Sequence, residues 1–346
     1  RGDYSAGKAV HRLMRNNISS LITELAALMP DRPAVIAGAR TISFKELDEE
    51  INLLAAGLAR AGIKPGMRAA LMVPPSIEFT VLTFALFRAG AVTVLIDPGI
   101  GAASMGTCLG EARPEVFIGV PKAQAVRLLL GWGKESLNLF ITVGPRLFWG
   151  GTTLKEIRRI GARGAVQGGV SPDGKAAILF TSGSTGAPKG AVYTHAMFAA
   201  QAAMLKAYFK IEPGSYSVPT FPLFALFDLA LGLTIVLPDM DFTRPAAVNA
   251  GMLSGLINKY KAEQLFGSPA LLETLGRYGE AHGTRLPSLK RVISCGAPVS
   301  QTVIARINKM VPPGTQVYTP YGATEALPTA CISGGELAAL PVSGPD

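Results

Sequence analysis

The segment from Ile178 to His195 (ILFTSGSTGAPKGAVYTH) combines residue types that suit the binding of a polyphosphate. An apolar strand ends at Phe180, and small or hydroxylated residues follow without a break from Thr181 to Ala187. A loop with so little side-chain bulk can wrap closely around an anion, because its N–H groups and hydroxyls can donate to phosphate oxygens. Lys189 adds a positive charge before the next strand. We therefore predict an anion-binding loop in preference to a flexible turn rich in serine and glycine.

The spacing within this loop excludes two common nucleotide-binding motifs. A Walker A loop needs Gly-x-x-x-x-Gly-Lys-Ser/Thr, whereas here two residues separate Gly186 from Lys189, and Gly190 follows the lysine. A Rossmann unit needs Gly-x-Gly-x-x-Gly after a strand with an acidic residue about 20 positions later, and the sequence has no such pattern. His195 follows the loop closely, but a structural histidine is as good an interpretation of it as a catalytic one.

Short apolar strands that alternate with helix-length segments must position this loop. In chain order, the strands that we predict are AALMV, AVTVLI, VFIGV, LFITV, AAILF, GAVYT, LTIVL, RVISC and TQVYT. Such alternation predicts an α/β fold of βαβ units with largely parallel sheets. The strands are almost wholly apolar, which indicates that helices cover both faces of each sheet. Ser43 and Glu46 have the spacing of a capping box at the start of one helix, whose apolar face begins at Leu47.

The composition indicates a large buried core and two subdomains. Of 346 residues, 49% are hydrophobic and 16% are charged, against roughly 25% charged in a typical soluble domain, so intrinsic disorder is excluded. The stretch from 144 to 175 is glycine-rich and basic and shows no periodic element, which predicts a linker between two half-sheets. We therefore expect one subdomain over residues 1–172 and a second, carrying the anion loop, over residues 173–346.

Charge and cysteine content argue against several other classes of function. Lys and Arg exceed Asp and Glu by nine, but they form no cluster with interleaved aromatic residues, so we expect no nucleic-acid partner. The most lipid-like window, 79–96, is interrupted by Arg88 and Gly90, which predicts a helix, a turn and a buried strand and no integral membrane segment. Three widely spaced cysteines indicate a reducing, cytoplasmic location without a disulfide scaffold or a zinc site.

The loop sequence TSGSTGAPKG resembles the phosphate-binding signature of the acyl-adenylate-forming (AMP-dependent synthetase and ligase) superfamily. Four further stretches resemble other motifs of that superfamily in the same order: ISFKEL (42–47), LFRAGAVTVLIDP (86–98), SCGAPVS (294–300) and YGATEA (321–326). The resemblance implies a large N-terminal adenylation domain of stacked, largely parallel sheets flanked by helices, in which both subdomains belong to that domain.

The resemblance also implies an AMP-forming reaction, in which ATP adenylates a carboxylic acid and pyrophosphate leaves. It assigns catalytic roles to Thr181, Lys189, Thr324 and Glu325, with Glu325 as a ligand of Mg²⁺. The residues implied to bind ATP or AMP are Thr181, Ser182, Gly183, Ser184, Thr185, Gly186, Lys189, Gly296, Ala297, Pro298, Tyr321, Gly322 and Thr324. The implied cofactors are ATP and Mg²⁺. The implied partners are a small-molecule carboxylic acid and CoA, the commonest acyl acceptor, while the oligomeric state is not indicated.

The residues implied to line an acyl pocket are Phe221, Phe224, Ala225, Phe227 and Gly296. Many fatty-acid-activating relatives carry a histidine after Pro-Leu-Phe. Here Ala225 stands at that position, so the histidine has no counterpart in this sequence. Asp228 lies three residues further on and could imitate the acid that holds the ammonium group of an amino-acid substrate. Its neighbours are apolar, however, and we therefore favour an apolar, long-chain fatty acid over an amino acid.

Three functions follow from the resemblance. An acyl-CoA synthetase is the commonest outcome in the superfamily. The sequences of three segments are most similar to those of the olefin-pathway β-lactone synthetases: FPLFALF, PDMDFTRPA and TPYGATEALP. Those enzymes activate a β-hydroxy fatty acid and close the lactone. The third is an inactive nucleotide-binding module, because nothing after Glu325 matches the ribose-binding aspartate, the hinge or the lid lysine of the superfamily. We accordingly expect the small C-terminal lid domain to be absent from the chain.

Overall fold

The computed structural model describes residues 17–164, 171–181 and 189–339. The α-helices in these ranges are α1 (Ser20–Leu28), α2 (Phe44–Arg60), α3 (Ile77–Arg88), α4 (Ala102–Ala112), α5 (Pro121–Leu130), α6 (Leu154–Gly161), α7 (His195–Phe209), α8 (Pro222–Ala230), α9 (Ala250–Tyr260), α10 (Pro269–His282), α11 (Gln301–Met310) and α12 (Gly334–Ala339). The strands are β1 (Pro33–Ala37), β2 (Arg40–Ser43), β3 (Arg68–Met72), β4 (Val92–Ile96), β5 (Val116–Gly119), β6 (Leu139–Thr142), β7 (Thr152–Thr153), β8 (Lys175–Phe180), β9 (Ala191–Thr194), β10 (Tyr216–Pro219), β11 (Thr234–Leu237), β12 (Gln264–Phe266), β13 (Arg291–Ile293), β14 (Gln316–Ala323) and β15 (Ala326–Ser333). Short 3₁₀ turns occur at Pro98–Ile100 and Pro245–Ala247.

The first sheet has the strand order β7-β6-β5-β3-β4-β8-β9. Its pairs are parallel from β7 to β8, and β9 runs antiparallel to β8. Every residue of β4 and of β5 is buried, as expected for parallel strands whose connecting helices cover both faces of the sheet. The parallel arrangement brings the carboxyl ends of six strands to one edge, and the anion loop leaves the sheet there, after β8.

The second sheet has the strand order β15-β14-β13-β12-β10-β11-β1-β2. The pairs from β14 to β1 are parallel, and β15 folds back antiparallel to β14. Helices α9, α10 and α11 contribute buried leucine, isoleucine and valine side chains to the core beside this sheet. The sequence-based fold class, an α/β protein with largely parallel sheets flanked by helices, is therefore confirmed.

The chain divides into two compact units, and each contains one sheet. The first unit holds the described residues up to Arg32 together with Ile42–Tyr208, and the second holds Pro33–Thr41 and the described residues from Phe209 onward. This division differs from the boundary that we expected near residue 172. The reason is strand pairing: β8 pairs with β4, and β9 pairs with β8, so the strands on both sides of the anion loop belong to the first unit.

Local sequence signals explain where the best-defined helices begin. At the start of α2, the Ser43 hydroxyl accepts a hydrogen bond from the Glu46 N–H (3.2 Å), and the Glu46 carboxylate accepts one from the Ser43 N–H (2.8 Å). This is the predicted capping box, which satisfies N–H groups that have no partner inside the helix. The predicted apolar face of α2 is buried from Leu47 to Leu58.

The expectation of a linker between residues 144 and 175 is wrong for part of that stretch. It contains strand β7 and helix α6, which buries Leu154 and Ile157. Thr153 and Glu156 form a second capping box at the start of α6. Only eight residues make up this helix, so its periodicity is too short to stand out among the neighbouring glycines, although the Thr-x-x-Glu spacing was a usable signal.

The lipid-like window folds as predicted into a helix, α3, a turn and a buried strand, β4. Within the described ranges, no helix combines the length and the apolar character that a bilayer crossing requires.

Candidate active site

The anion loop is anchored at both ends in the first unit. Thr181 directly follows β8 and is half-buried, and Lys189 precedes β9 and is exposed. The antiparallel register of the two strands places Leu179 opposite Ala191, so the loop connects neighbouring strands at the edge of the sheet. The predicted phosphate-binding residues between these anchors lie outside the described residues: Ser182, Gly183, Ser184, Thr185 and Gly186.

Gly190 lets the loop return close to its own strand. A Cβ atom at this position would lie 2.7 Å from Ile178 Cγ2 and 2.7 Å from Phe180 Cζ, so a larger residue would force these side chains to shift. The Gly190 N–H also donates to the Glu111 carboxylate at 3.2 Å. On the other side of β8, the Asp97 N–H donates to the Phe180 carbonyl at 2.9 Å. These contacts fix both strand ends from which the loop departs.

His195 is a buried structural residue at the start of α7. Its side chain has no solvent exposure, and its ring packs edge-on against Phe87, with 5.7 Å between the ring centres. Burial lowers the pKa of the imidazole to about 4, because the charged form is poorly solvated there. Among the described residues, neither ring nitrogen has a hydrogen-bond partner. The neutral ring thus acts as part of the core, which favours the structural interpretation over the catalytic one.

The YGATEA motif forms a tight hairpin in the second unit. Ala323, the last residue of β14, pairs with Ala326, the first residue of β15, so Thr324 and Glu325 are the two turn residues. The Glu325 side chain is exposed, and Thr324 is half-buried. Tyr321 is 76% exposed, and a register shift in β14 occurs between Tyr321 and Ala323. The hairpin therefore presents an aromatic ring, a hydroxyl and a carboxylate together.

Gly322 allows the two strands of this hairpin to approach each other. A Cβ atom at Gly322 would lie 2.5 Å from the Ala326 carbonyl oxygen and 2.7 Å from Leu327 Cδ2. The contact with a backbone atom cannot be relieved by a side-chain rotation. Gly322 is thus required by the geometry of the turn, which gives a physical reason for its place in the motif.

The predicted adenine-binding segment leaves the second sheet beside this hairpin. Gly296, Ala297 and Pro298 are exposed and lie between β13 and α11. Strands β13 and β14 are parallel neighbours with Ile293 opposite Tyr318, so the segments that follow them emerge at the same edge of the sheet. The structure thus brings this segment and Tyr321 to adjacent strand ends.

An aromatic cluster continues along the same edge. Strands β10 and β12 pair in parallel, with Pro219 opposite Phe266, and Phe221 and Phe224 follow β10 at the start of α8. Phe224 stacks on Phe266 with 3.9 Å between ring centres, and Phe221 lies 5.9 Å from Phe224. In the predicted acyl pocket, these two phenylalanines and Phe227 are half-buried and Ala225 is buried. Phe266 was missed by sequence analysis, because its three-residue strand carries no recognisable pattern.

Asp228 takes part in a buried polar network instead of facing a substrate. Its carboxylate accepts hydrogen bonds from Ser217 Oγ and from Gln264 Nε2, both at 2.6 Å. Arg291 Nε in turn donates to Gln264 Oε1 at 3.1 Å. Burial raises the pKa of Asp228 to about 6, although the hydrogen bonds and the Arg291 charge act in the opposite direction. An ammonium-binding role for Asp228 is not supported, since both carboxylate oxygens already accept hydrogen bonds inside the core.

Comparison with known proteins identifies the family. A sequence profile of AMP-binding enzymes matches residues 22–345. The chain belongs to the AMP-binding enzyme family. The suspected superfamily is thereby confirmed.

Two curated relatives of this AMP-binding enzyme are olefin beta-lactone synthetases. The protein from Stenotrophomonas maltophilia (strain K279a) is 47% identical over 334 residues, which cover 93% of this chain and 60% of the relative. The protein from Xanthomonas campestris pv. campestris is 47% identical over 333 residues, with 93% and 59% coverage. The chain thus spans about three fifths of the length of these relatives. The predicted similarity to the β-lactone synthetases is confirmed.

Solved structures share the fold of this AMP-binding enzyme. A long-chain-fatty-acid-CoA ligase from Archaeoglobus fulgidus superimposes with a TM-score of 0.80 at 22% sequence identity. The match covers 92% of this chain and 66% of the ligase. At this level of identity the likeness concerns the fold.

The residues present fit the Mg²⁺ ion that the family implies. Mg²⁺ prefers oxygen ligands and is usually held by one or two carboxylates together with substrate phosphates. Glu325 offers an exposed carboxylate. In the ranges that the structure describes, no group of three or more His, Cys, Asp or Glu side chains is arranged to hold a metal. This donor set suits an ion that binds together with a polyphosphate.

A separate cavity of about 740 Å³ lies at the carboxyl edge of the first sheet. Segments after β3, β5 and β6 and the start of α6 form its wall, including Pro74, Val120, Val143 and Lys155. Strands β4 and β5 lie on opposite sides of β3, and open α/β sheets often bind ligands at such a reversal of strand order. None of the predicted acyl-pocket residues, all of which the structure describes, lines this cavity.

Proposed function

We propose that the chain is the adenylating part of an enzyme that activates an apolar carboxylic acid with ATP. The observation that carries this proposal is the arrangement along one edge of the second sheet. The aromatic cluster follows β10 and β12, the adenine-binding segment follows β13, and the Thr-Glu hairpin follows β14. These three features correspond to the acid, the nucleobase and the reacting phosphate, and membership of the AMP-binding enzyme family supports the assignment.

In the proposed first step, a carboxylate oxygen of the substrate attacks the α-phosphorus of ATP. The new bond joins that oxygen to phosphorus, and the bond between the α-phosphorus and the bridging oxygen breaks, so that pyrophosphate leaves. Both reactants are anions, and we therefore expect catalysis to depend on charge neutralisation and in-line positioning. The superfamily resemblance assigns the β- and γ-phosphates to Lys189 and the loop after Thr181, and it assigns the α-phosphate to Thr324.

Glu325 would hold the Mg²⁺ ion, and Tyr321 would stack on the adenine. Bound Mg²⁺ would neutralise phosphate charge, as it commonly does in phosphoryl and nucleotidyl transfer. The exposure of Glu325 and Tyr321 supports these roles, since both side chains can meet a ligand without a rearrangement of the core.

The aromatic cluster supports an apolar acid as the substrate. Phe221, Phe224 and Phe266 form a continuous apolar surface, whereas the acid that might have held an ammonium group, Asp228, is buried with internal partners. A pocket built in this way disfavours a charged amino-acid substrate, because an unpaired charge is costly to desolvate.

For the second step, we propose β-lactone formation from a β-hydroxy fatty acid. The β-hydroxyl oxygen attacks the acyl carbonyl carbon of the adenylate, the bond from that carbon to the AMP oxygen breaks, and the hydroxyl proton is lost to solvent. The 47% identity to olefin beta-lactone synthetases over 93% of the chain supports this step. Acyl transfer to CoA is the second candidate, because an acyl-CoA synthetase is the commonest outcome that the superfamily resemblance implies.

Product identification with and without CoA distinguishes these reactions. The full gene product is incubated with ATP, Mg²⁺ and a β-hydroxy fatty acid, and the products are identified by mass spectrometry. We expect AMP, pyrophosphate and a β-lactone in the absence of CoA. The same fatty acid without the hydroxyl is the matched control and should give no lactone. A product that forms only with CoA would contradict lactone closure, and ATP binding without pyrophosphate release would indicate an inactive nucleotide-binding module.

A further inference from the structure

Most of the net positive charge of the chain comes from one short part of the first unit. Residues 121–164, here called the basic segment, contain eight of the 33 lysines and arginines and two of the 24 acidic residues. The basic segment therefore supplies six of the nine net positive charges. Six of its cations are exposed: Lys122, Lys134, Arg146, Lys155, Arg159 and Arg163. The other two are engaged internally, with Arg127 over the Phe140 ring and Arg158 paired with Glu50.

The basic segment also exposes large apolar side chains in two places. Leu128, Leu129 and Leu130 end helix α5 and are 42%, 84% and 54% exposed. Leu147 and Phe148 lie in the loop after β6 and are 61% and 81% exposed. Three consecutive exposed leucines are unfavourable on a surface that meets only water, and such runs usually have a function.

Local contacts anchor the loop that carries Phe148 and place a cation beside the leucine run. In the loop after β6, Trp149 is buried and donates from Nε1 to Thr142 Oγ1 at 2.9 Å, and Arg146 donates to the Gly151 carbonyl. Phe148 is therefore carried by a loop that is anchored on both sides. At the end of α5, the Lys134 side chain lies against Gly131, with Cε 2.7 Å from the position of a Cβ atom. A cation thus lies directly beside the leucine run.

Both apolar groups belong to the connections that enter and leave strand β6. This strand lies next to β7, the last strand at that side of the first sheet. The leucine run precedes β6 and the Leu147–Phe148 pair follows it, so both groups lie on the connections of one strand near this side of the sheet.

We propose that the basic segment binds the surface of an anionic lipid bilayer. The leucines and Phe148 enter the interfacial region, and the exposed cations contact lipid phosphates, which is the combination found in peripheral membrane anchors. Three of the six exposed cations are lysines, which are depleted at protein–protein interfaces, so a lipid surface suits them better than a protein partner. The inference does not depend on the acid that the enzyme activates.

A vesicle flotation assay tests this inference. The full gene product is mixed with vesicles of phosphatidylglycerol and phosphatidylcholine, or of phosphatidylcholine alone. We expect flotation with the anionic vesicles at about 0.05 M salt and release at about 0.5 M, because salt screens the attraction. The double variant Leu129→Glu/Phe148→Glu should reduce the bound fraction at least about tenfold, since it replaces apolar groups with charges of the same sign as the lipids.

Leu28→Glu is the matched control. Leu28 is 72% exposed but lies outside the basic segment, on α1, so this variant should float like the wild type. The double variant should keep the wild-type melting temperature and its rate of pyrophosphate release with a water-soluble acid, which separates this test from that of the proposed function. Failure of the wild type to float, or equal flotation of the double variant, would overturn the proposal. The proposal would also be overturned if the wild type did not bind vesicles but formed a dimer that the double substitution dissociates.

Discussion

At the scale of single residues, exposure distinguishes the side chains that can meet a ligand from those that support the fold. Tyr321 and Glu325 are exposed on a hairpin whose turn contains two residues. His195 and Asp228 are buried, and their surroundings shift their pKa values in ways that reduce their charge. We therefore propose that the hairpin carries the chemistry and that the two buried groups contribute to stability.

Substitution of Glu325 by Gln should abolish most of the pyrophosphate release that depends on the carboxylic acid substrate. The amide has nearly the same shape but lacks the charge that a Mg²⁺ ligand needs, so we expect the rate of pyrophosphate release to fall at least about 100-fold. The unfolding free energy should stay unchanged, since the side chain is exposed. Glu49→Gln, which alters an exposed acid of the first unit, is the control. An unchanged rate in Glu325→Gln would remove this residue from the site.

Substitution of His195 by Leu should make the protein more resistant to unfolding at low pH. The folded-state pKa is lowered to about 4, below the unfolded value near 6.5, so the stabilising effect of the neutral ring is present above pH 6.5 and is lost as pH falls towards 4. We expect the wild type to lose roughly 2–3 kcal/mol more than the variant between pH 7 and pH 4. Urea unfolding at both pH values measures this difference, and parallel losses in both proteins would contradict it.

At the scale of elements, helix α8 connects the proposed acyl pocket to the interior of the second sheet. Phe224 near its start stacks on Phe266 of β12, and Asp228 one turn later bonds to Ser217 of β10 and to Gln264 of β12. The two side chains are four residues apart and therefore lie on the same face of the helix, so the buried hydrogen bonds of Asp228 hold the face that carries Phe224. The position of the aromatic cluster depends on this second set of contacts.

Phe224→Ala should weaken binding of the acid without affecting ATP. Removal of the ring takes apolar surface from the proposed pocket, and a loss of this size commonly costs a few kcal/mol, so we expect the KM for a long-chain acid to rise at least about tenfold. The KM for ATP should change little. Steady-state pyrophosphate release with each substrate varied in turn measures both constants. An equal rise in the two values would indicate a general structural defect instead.

Two variants of Asp228 should differ sharply in stability. Asp228→Ala leaves Ser217 and Gln264 without their acceptor in the core, which should lower the unfolding free energy by roughly 2–4 kcal/mol. Asp228→Asn keeps an oxygen acceptor and should cost much less. Neither variant should change which carboxylic acid the enzyme activates, because Asp228 does not face a substrate. Denaturant unfolding measures the first expectation, and equal losses in both variants would show that the hydrogen bonds contribute little.

At the scale of the whole molecule, two kinds of element could be predicted from the sequence. One is a helix that has both a capping signal and apolar residues at helical spacing, and the other is a strand that consists of an unbroken apolar run. Strands β4 and β5 consist of buried apolar residues, and α2 has both a capping box and an apolar face. Strands β10 and β12 were missed, because they are only four and three residues long and each includes a buried polar residue, Ser217 or Gln264. Those residues belong to the Asp228 network, so the feature that hid the strands is the one that stabilises them.

The candidate site was predictable only where residues are close together in sequence. The Thr-Glu hairpin and the loop anchors Thr181 and Lys189 are local features that a motif reveals. Phe266 contacts Phe224 across 42 positions of chain, and that contact follows from the parallel pairing of β10 with β12. Sheet order is set by tertiary packing, which a single sequence does not encode in any local pattern.

An oxygen-labelling experiment tests the central claim most directly. The full gene product is given ATP, Mg²⁺ and a β-hydroxy fatty acid whose carboxylate carries ¹⁸O, and the AMP that it releases is analysed by mass spectrometry. If the carboxylate attacks the α-phosphorus, one labelled oxygen must remain on AMP after the acyl group departs. We predict singly labelled AMP, whereas unlabelled AMP, or the appearance of ADP with labelled phosphate, would contradict an acyl-adenylate mechanism.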